Sequence, residues 1–405
     1  MLAAPVCAQT TTPPAARAAK QTRAADDKTP LALFPVTTIW TLPLNNALTA
    51  APAFRESVAV FALEGDQLAA YDLSNGSQLW LTSVATTVQP AIGADAVFVA
   101  ENDTLEALSL ETGEVVWRQP LGAELAVAPA VAGDRLIIAT ADGDLIAHRV
   151  VDGVELWRRH FSRAATSRPS FTTTRMFVAT ADKQITALDL QTGAVVWTRT
   201  LDGAGHDILA DADRIFFGSQ DRYFYCLNAK DGEREWRWLT GADAIGLPVG
   251  DDRTVYFVSL DNVLRGLNRS SGVQRWKSPL SFRPIAGPLK WSETLVVAGS
   301  SPQLEAFSVR DGKSVGRSTV SMELSAPPHL FVDPAQVFPV LVTISSDIVG
   351  RATVTGITRT VEPTSLQMVP LPNASTPETV PAPPGDLGGV SPLPNLTPVA
   401  PMSEP

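Results

Sequence analysis

The chain has 405 residues, with 32 Lys and Arg against 42 Asp and Glu, and a formal net charge of −10. This acidic balance, without any Lys/Arg cluster, argues against a nucleic-acid partner and favours protein or small-ligand partners. Two cysteines, Cys7 and Cys226, provide neither a disulfide framework nor a zinc site, and no apolar run reaches the roughly 18 residues of a membrane-spanning helix.

Residues 1–35 are predicted to be a truncated signal remnant followed by a disordered linker. Val6-Cys7-Ala8 fits the small-x-small pattern before a signal-peptide cleavage point, although a positively charged start and a full apolar core are missing. We interpret this segment as the end of a secretion signal whose upstream part was lost to a misplaced start codon, which predicts a periplasmic or exported protein. The alternatives are a disordered cytoplasmic N-terminus and a lipidated Cys7.

A repeat of about 40 residues follows, marked by tryptophans at intervals of 37 to 40 residues. They are Trp40, Trp80, Trp117, Trp157, Trp197, Trp236 and Trp276. A period of this length is typical of propeller blades or helical arrays.

A glycine four places before the tryptophan position decides between these two. The set is Gly76, Gly113, Gly153, Gly193, Gly232, Gly272 and Gly312, each preceded by Asn, Thr, Asp or Ser. This is the chemistry of a tight hairpin turn that needs a positive φ. The flanking segments alternate apolar and polar residues, which predicts four short antiparallel strands in each repeat, the pattern of a β-propeller blade.

The count of blades follows from the two ends of the repeat region. The seventh copy has Gly316 where tryptophan is expected, and Pro327 to Thr355 supplies only three more strands. A strand around Trp40 would complete that last blade, which predicts an all-β, eight-bladed propeller over residues 36–361 and a monomer. Residues 362–405, with twelve prolines and no Lys or Arg, are predicted to form a disordered tail.

The segment ALDLQTGAVVW (Ala187 to Trp197) resembles the pyrroloquinoline-quinone (PQQ) repeat of β-propellers. The resemblance implies that each repeat tryptophan packs between neighbouring blades. It implies no single function, because the family contains quinoprotein dehydrogenases and also a non-enzymatic, BamB-like branch that acts in outer-membrane protein assembly.

The residues favour the non-enzymatic branch. The resemblance implies that a quinone enzyme would carry an adjacent cysteine pair, acidic calcium ligands, a catalytic Asp and long insertions. This chain has no Cys-Cys pair and only short loops between blades. We therefore predict no catalytic residue, no metal site and no bound PQQ or calcium.

An acidic or amide residue recurs at one turn position of the repeat, and by symmetry these residues would form a ring on one face of the propeller. The ring would be either a site for a cation or a basic partner, or a set of residues that only stabilise their own turns. The position is held by Asn102, Asp142, Asp182, Asp221, Asp261 and Asp347.

Four aromatic residues are candidates for partner binding. Trp238 replaces polar residues found at the same position of other blades, Tyr223 and Tyr225 share its blade, and Trp291 lies near a predicted turn. Local packing is the alternative role for them. The leading functional hypothesis is a non-catalytic protein-interaction scaffold in the cell envelope, and the alternatives are a PQQ-dependent or other oxidoreductase and a small-ligand sensor.

Overall fold

The computed structural model describes residues 33–360, except 321 and 334–336. The predicted signal remnant and linker up to residue 32, and the predicted tail from residue 362 onward, lie outside the described residues. Within the described part, 32 strands form eight four-stranded antiparallel sheets. The eight-bladed all-β prediction is confirmed.

The strands run along the chain as follows. Strand β1 (Val36–Ala47) belongs to blade 8. Blade 1 contains β2 (Ala53–Arg55), β3 (Val58–Leu63), β4 (Gln67–Asp72) and β5 (Ser77–Ser83). Blade 2 contains β6 (Ala91–Ile92), β7 (Ala96–Glu101), β8 (Thr104–Ser109) and β9 (Val115–Pro120). Blade 3 contains β10 (Ala130–Ala132), β11 (Arg135–Ala139), β12 (Asp144–Arg149) and β13 (Glu155–His160). Blade 4 contains β14 (Ser170–Phe171), β15 (Arg175–Thr180), β16 (Gln184–Asp189) and β17 (Val195–Thr200).

The second half repeats the same order. Blade 5 contains β18 (Gly205–Ala210), β19 (Arg214–Ser219), β20 (Tyr223–Asn228) and β21 (Arg234–Leu239). Blade 6 contains β22 (Ala244–Gly250), β23 (Thr254–Ser259), β24 (Val263–Asn268) and β25 (Gln274–Pro279). Blade 7 contains β26 (Leu289–Trp291), β27 (Thr294–Ala298), β28 (Gln303–Ser308) and β29 (Ser314–Thr319). Blade 8 contains β30 (Leu324–Phe331), β31 (Val340–Ser346) and β32 (Arg351–Arg359).

The ring closes in blade 8, where the first and last strands of the propeller meet. Strand β1 pairs antiparallel with β32, and Trp40 lies opposite Gly356. Phe61 of blade 1 shares a buried cluster with Val342 and Ile344 of blade 8. The N-terminal strand therefore completes the last blade, as the sequence predicted.

The core consists of eight hydrophobic clusters, and each lies between two consecutive blades. Neighbouring side chains of a strand point to opposite faces of its sheet. In β19, Phe217 therefore packs with Phe177 of blade 4, and Phe216 packs with Phe257 of blade 6. The middle strands are buried on both faces, which explains their nearly continuous apolar runs.

Six repeat tryptophans connect each blade to the next one. Their Nε1 groups donate hydrogen bonds of 2.8 to 3.3 Å to backbone carbonyls of the following blade. The same indoles lie against the turn glycine of that blade, whose φ is between 65° and 73°. The tryptophans are Trp80, Trp117, Trp157, Trp197, Trp236 and Trp276. Their glycine partners are Gly113, Gly153, Gly193, Gly232, Gly272 and Gly312.

The two seams of blade 8 are built differently. Gly76, the first turn glycine, has a φ of 75°. A Cβ placed on Gly76 would have no atom within 4 Å, so the indole of Trp40 does not pack against this turn. At the seam between blades 7 and 8, Phe34 packs against Gly316, where the tryptophan is missing. Phe34 is only 3% exposed. The segment before β1 therefore supplies an aromatic side chain where the repeat lacks one.

Candidate functional site

The innermost strand of each blade faces a central channel, whose mouth forms a cavity of about 750 Å³. Its walls come from blades 1 to 6 and carry polar groups as well as apolar side chains, with Phe54, Phe171 and Leu247 among the latter. Gln89 and Arg168 enter from the loops that precede the inner strands of blades 2 and 4. This size lies within the range of cavities that bind small molecules.

Two opposite charges face this cavity. Arg168 donates a hydrogen bond of 2.7 Å to Oε1 of Gln89, whose Nε2 donates to the carbonyl of Pro52 at 2.6 Å. Asp207 lies on the neighbouring inner strand β18. Among the described residues, neither Arg168 nor Asp207 has an ion-pair partner. Desolvation in the cavity lowers the pKa of Arg168 and raises the pKa of Asp207. The attraction of Asp207 to His206 and to Arg168 only partly opposes these shifts.

Two further polar atoms near these charges are buried without a hydrogen-bond partner within the part of the chain that the structure describes. They are Oγ of Ser167, which lines the cavity, and Nε2 of His206. A buried polar atom without a partner usually costs free energy, so it indicates an unmet interaction. The channel mouth therefore combines unpaired charge with unsatisfied hydrogen-bonding groups.

The recurring acidic position forms turns. Asp182 accepts hydrogen bonds from Thr180 and from Ser162 of the preceding blade. Asp261 forms an ion pair with Arg265 at 2.6 Å. Asp221 accepts hydrogen bonds from Tyr223 and Tyr225, and Asp347 accepts them from Val349 and Arg351. Asn102 adopts a φ of 50°. Asp142 is exposed. No group of three or more His, Cys, Asp or Glu side chains in the described residues could hold a metal ion.

The aromatic candidates differ in how accessible they are. Tyr225 is only 2% exposed and its hydroxyl donates to Asp221 at 2.7 Å, so it contributes no contact surface. Tyr223 is half-buried beneath the guanidinium of Arg237, at 4.2 Å from the ring centre. Trp238 is half-buried against the cluster between blades 5 and 6, and Trp291 packs edge-on against Phe338. The structure does not bring the four into one exposed patch, because Trp291 lies two blades away from the others.

The outer rim of the propeller carries apolar side chains that the sequence reasoning missed. Each blade ends in an outermost strand with a neighbour on only one side. In β9, Val115 and Val116 are 40% and 56% exposed, and in β17, Val195 and Val196 are 53% and 44% exposed. The signal was available in the sequence as the Val-Val pair directly before Trp117 and Trp197.

The residues present do not match the donor set that a PQQ enzyme with calcium is expected to carry. The one described cysteine, Cys226, has Tyr225 and Leu227 as its neighbours in the chain, so it does not belong to an adjacent pair. Among the described residues that line the channel mouth, Asp207 is the one that carries a carboxylate. We therefore derive no chemistry through a quinone at this site.

Comparisons with known proteins agree with the fold. The family model described as "Outer membrane protein assembly factor BamB" matches residues 81–207 and 181–338. The outer membrane protein assembly factor BamB of Yersinia pestis is 24% identical over 140 residues, which are 33% of this chain and 36% of that protein. The match thus spans about a third of the length of that curated relative.

Solved structures share the propeller. The crystal structure of BamB from Moraxella catarrhalis has a TM-score of 0.65 and 19% identity, covering 80% of this chain and 98% of that one. The quinohemoprotein alcohol dehydrogenase of Comamonas testosteroni has a TM-score of 0.64 and 13% identity, covering 80% and 76%. The computationally designed protein Ika8 has a TM-score of 0.67 and 14% identity, covering 78% and 98%.

These structural likenesses establish the fold, and the family match extends to the repeat sequence itself. No helix among the described residues is long and apolar enough to cross a membrane. The family model covers more than half of the chain. The chain therefore belongs to the family of PQQ-like repeat propellers represented by the outer membrane protein assembly factor BamB.

Proposed function

We propose that this protein is a non-catalytic scaffold that binds protein partners during outer-membrane or cell-envelope protein assembly. The observation that carries this proposal is the family match over residues 81–338, which takes in most of the propeller. The donor set of the channel supports it, because it does not fit the quinone chemistry of the enzymatic branch.

The outer strands are the proposed docking surface. Exposed strand edges offer unpaired backbone groups to which an extended segment of another protein can add as a further strand. Strands β9 and β17 combine such an edge with exposed valines, including Val116 and Val195. Apolar side chains beside a free edge suit the binding of an extended segment of a partner protein.

The scaffold role goes together with three further proposals. The protein is exported and works in the periplasm as a monomer. Its folded unit is the propeller of residues 36–361 together with Leu33 and Phe34, which are buried in the seam between blades 7 and 8.

The test is removal of the protein from its source bacterium, followed by measurement of folded β-barrel proteins in the outer membrane. We expect their amount to fall and to be restored by the wild-type chain. The double variant Val116→Lys, Val195→Lys should restore less, because lysine on an edge strand blocks strand addition. Val151→Lys is the matched control, since Val151 is 70% exposed on a turn and should restore fully.

The enzymatic alternative is tested on the purified full chain with PQQ and calcium, by melting temperature and by dye-linked oxidation of alcohols and sugars. A ligand at 100 times its Kd would stabilise the fold by about 2.7 kcal/mol. We expect neither stabilisation nor turnover. A clear upward shift with turnover would overturn the scaffold proposal, as would unchanged outer-membrane proteins in the deletion strain.

A further inference from the structure

We propose that the channel mouth binds a small zwitterionic molecule, a free amino acid or a short peptide, with its carboxylate on Arg168 and its ammonium group on Asp207. This site is independent of the rim strands proposed above. It would give the propeller a ligand-binding function besides its scaffold role.

Arg168 is positioned to receive a carboxylate. Its guanidinium is fixed by the hydrogen bond to Gln89, which is itself held by the carbonyl of Pro52. Gln89 is a neutral acceptor, so the arginine keeps its full charge and most of its donors for another group. Among the described residues no carboxylate pairs with it, and a guanidinium offers two parallel donors to a carboxylate.

Asp207 supplies the opposite charge on the same cavity wall. No hydrogen bond or ion pair reaches its carboxylate from the described residues, and burial disfavours its charged form. The side chain is half-buried, and a partly desolvated charge is stabilised when it is paired. Arg168 and Asp207 line the same cavity and attract each other without forming an ion pair, so the cavity offers both signs of charge to a molecule that carries both.

The rest of the cavity sets the size and the body of the ligand. A cavity of about 750 Å³ has room for a few amino-acid residues. Phe54, Phe171 and Leu247 provide apolar walls, which favours aliphatic or aromatic side chains on the ligand. Ligand pockets commonly combine such apolar walls with a few convergent polar groups.

The test is calorimetric titration of the full chain with leucine, leucyl-leucine, N-acetyl-leucyl-leucine and leucyl-leucine amide, each up to about 10 mM. The first two separate a free amino acid from a peptide as the source of the zwitterion. The acetyl form lacks the ammonium group, and the amide form lacks the carboxylate. We expect at least one of the first two to bind about tenfold more tightly than both blocked forms, since a hydrogen-bonded charge commonly contributes that much.

Variants assign each charge to its residue. Arg168→Gln should weaken the zwitterion about tenfold and leave the amide form unchanged, and Asp207→Asn should weaken the zwitterion but not the acetyl form. Arg163→Gln is the control, since Arg163 is an exposed arginine of the same loop that does not line the cavity. The pattern across ligands separates binding from any loss of stability. No saturable binding, equal binding of all forms, or equal weakening by the control would overturn the proposal.

Discussion

The indole of Trp157 lies over the backbone of Gly193 in the next blade, and its Nε1 donates a hydrogen bond to the carbonyl of Leu190 at 3.3 Å. The glycine is required for two reasons. Its φ of 65° is unfavourable for other residues, and a Cβ at this position would lie 2.5 Å from the indole ring. The turn conformation and the contact between the two blades therefore both depend on the absence of a Cβ at Gly193.

We expect Gly193→Ala to lower the free energy of unfolding by about 3 kcal/mol or more, because it combines backbone strain with an overlap that must displace the indole. Gly76→Ala is the matched control. Gly76 has a similar φ of 75° but open space around its Cα, so it should lose only about 1 to 2 kcal/mol from the backbone. Urea denaturation of both variants measures the difference. Equal losses would show that the contact with tryptophan adds nothing to the turn.

Phe34→Ala should destabilise the propeller by about 3 to 5 kcal/mol, because it empties the place that a tryptophan occupies in other blades. Phe34 is 3% exposed and packs between blades 7 and 8. Ile39→Ala serves as the control, since Ile39 is a β1 residue that is 38% exposed. Hydrogen exchange should show the loss of protection concentrated in β29 and β1, the outer strands on either side of this seam. A loss no larger than that of the control would contradict a role for Phe34 in this seam.

Asp261 should make the protein sensitive to acid. Burial alone would raise the pKa of Asp261, but hydrogen bonds from Arg265 and Ser259 outweigh it and lower the pKa below the value of 3.8 for an unperturbed carboxyl. A pKa that is lower in the folded state stabilises the fold above the unfolded pKa, and this contribution disappears as the pH falls through the folded value. We therefore expect the melting temperatures of wild type and Asp261→Asn to differ most above about pH 5 and to converge below about pH 3.

Asp142→Asn is the comparison for this experiment. Asp142 holds the same turn position in blade 3, but it is exposed and forms no hydrogen bond or ion pair with the described residues. Its substitution should change the melting temperature little at any pH in this range. A constant difference between wild type and Asp261→Asn from pH 7 to pH 2.5 would contradict the linkage.

Tyr225 should titrate late in alkaline solution. Burial, together with the hydrogen bond to Asp221, raises the pKa of Tyr225 to about 12. A pKa raised in the folded state gives stability that is present below the unfolded pKa and is lost as the pH rises through the folded value, here between about pH 10 and pH 12. In Tyr225→Phe, ultraviolet titration of tyrosinate should show one fewer late-titrating group. The variant should also lose about 1 kcal/mol at pH 7, as expected for one hydrogen bond. An unchanged titration curve would contradict this assignment.

The repeat signature made most of the fold predictable from the sequence. Periodic tryptophans and the turn glycines located seven blades, and the incomplete copy ending at Gly316 indicated closure by the strand around Trp40. Phe34 could not be foreseen, because it lies outside the repeat and reaches Gly316 only through the tertiary fold. The sequence predicted the positive φ of the glycines, but the contact of each glycine with the preceding blade depends on how blades stack.

The channel site was not predictable for a related reason. The inner strands carry little of the repeat signature, and Gln89 and Arg168 are 79 residues apart in the chain. Their meeting depends on the ring bringing blades 2 and 4 to one axis. The acidic turn residues show the reverse case, since a conspicuous pattern in the sequence turned out to consist largely of local hydrogen bonds such as that from Thr180 to Asp182.

The pairing of β1 with β32 also sets the order of events during synthesis. Blade 8 combines residues 36–47 with residues 324–359, so a nascent chain must carry an unpaired first strand until nearly the whole propeller has left the ribosome. Contacts between distant parts of a chain form slowly and leave strand edges open to association in the meantime. The pairing of β1 with β32, which closes the ring, is therefore the last to form. Before it forms, the chain most needs protection from aggregation.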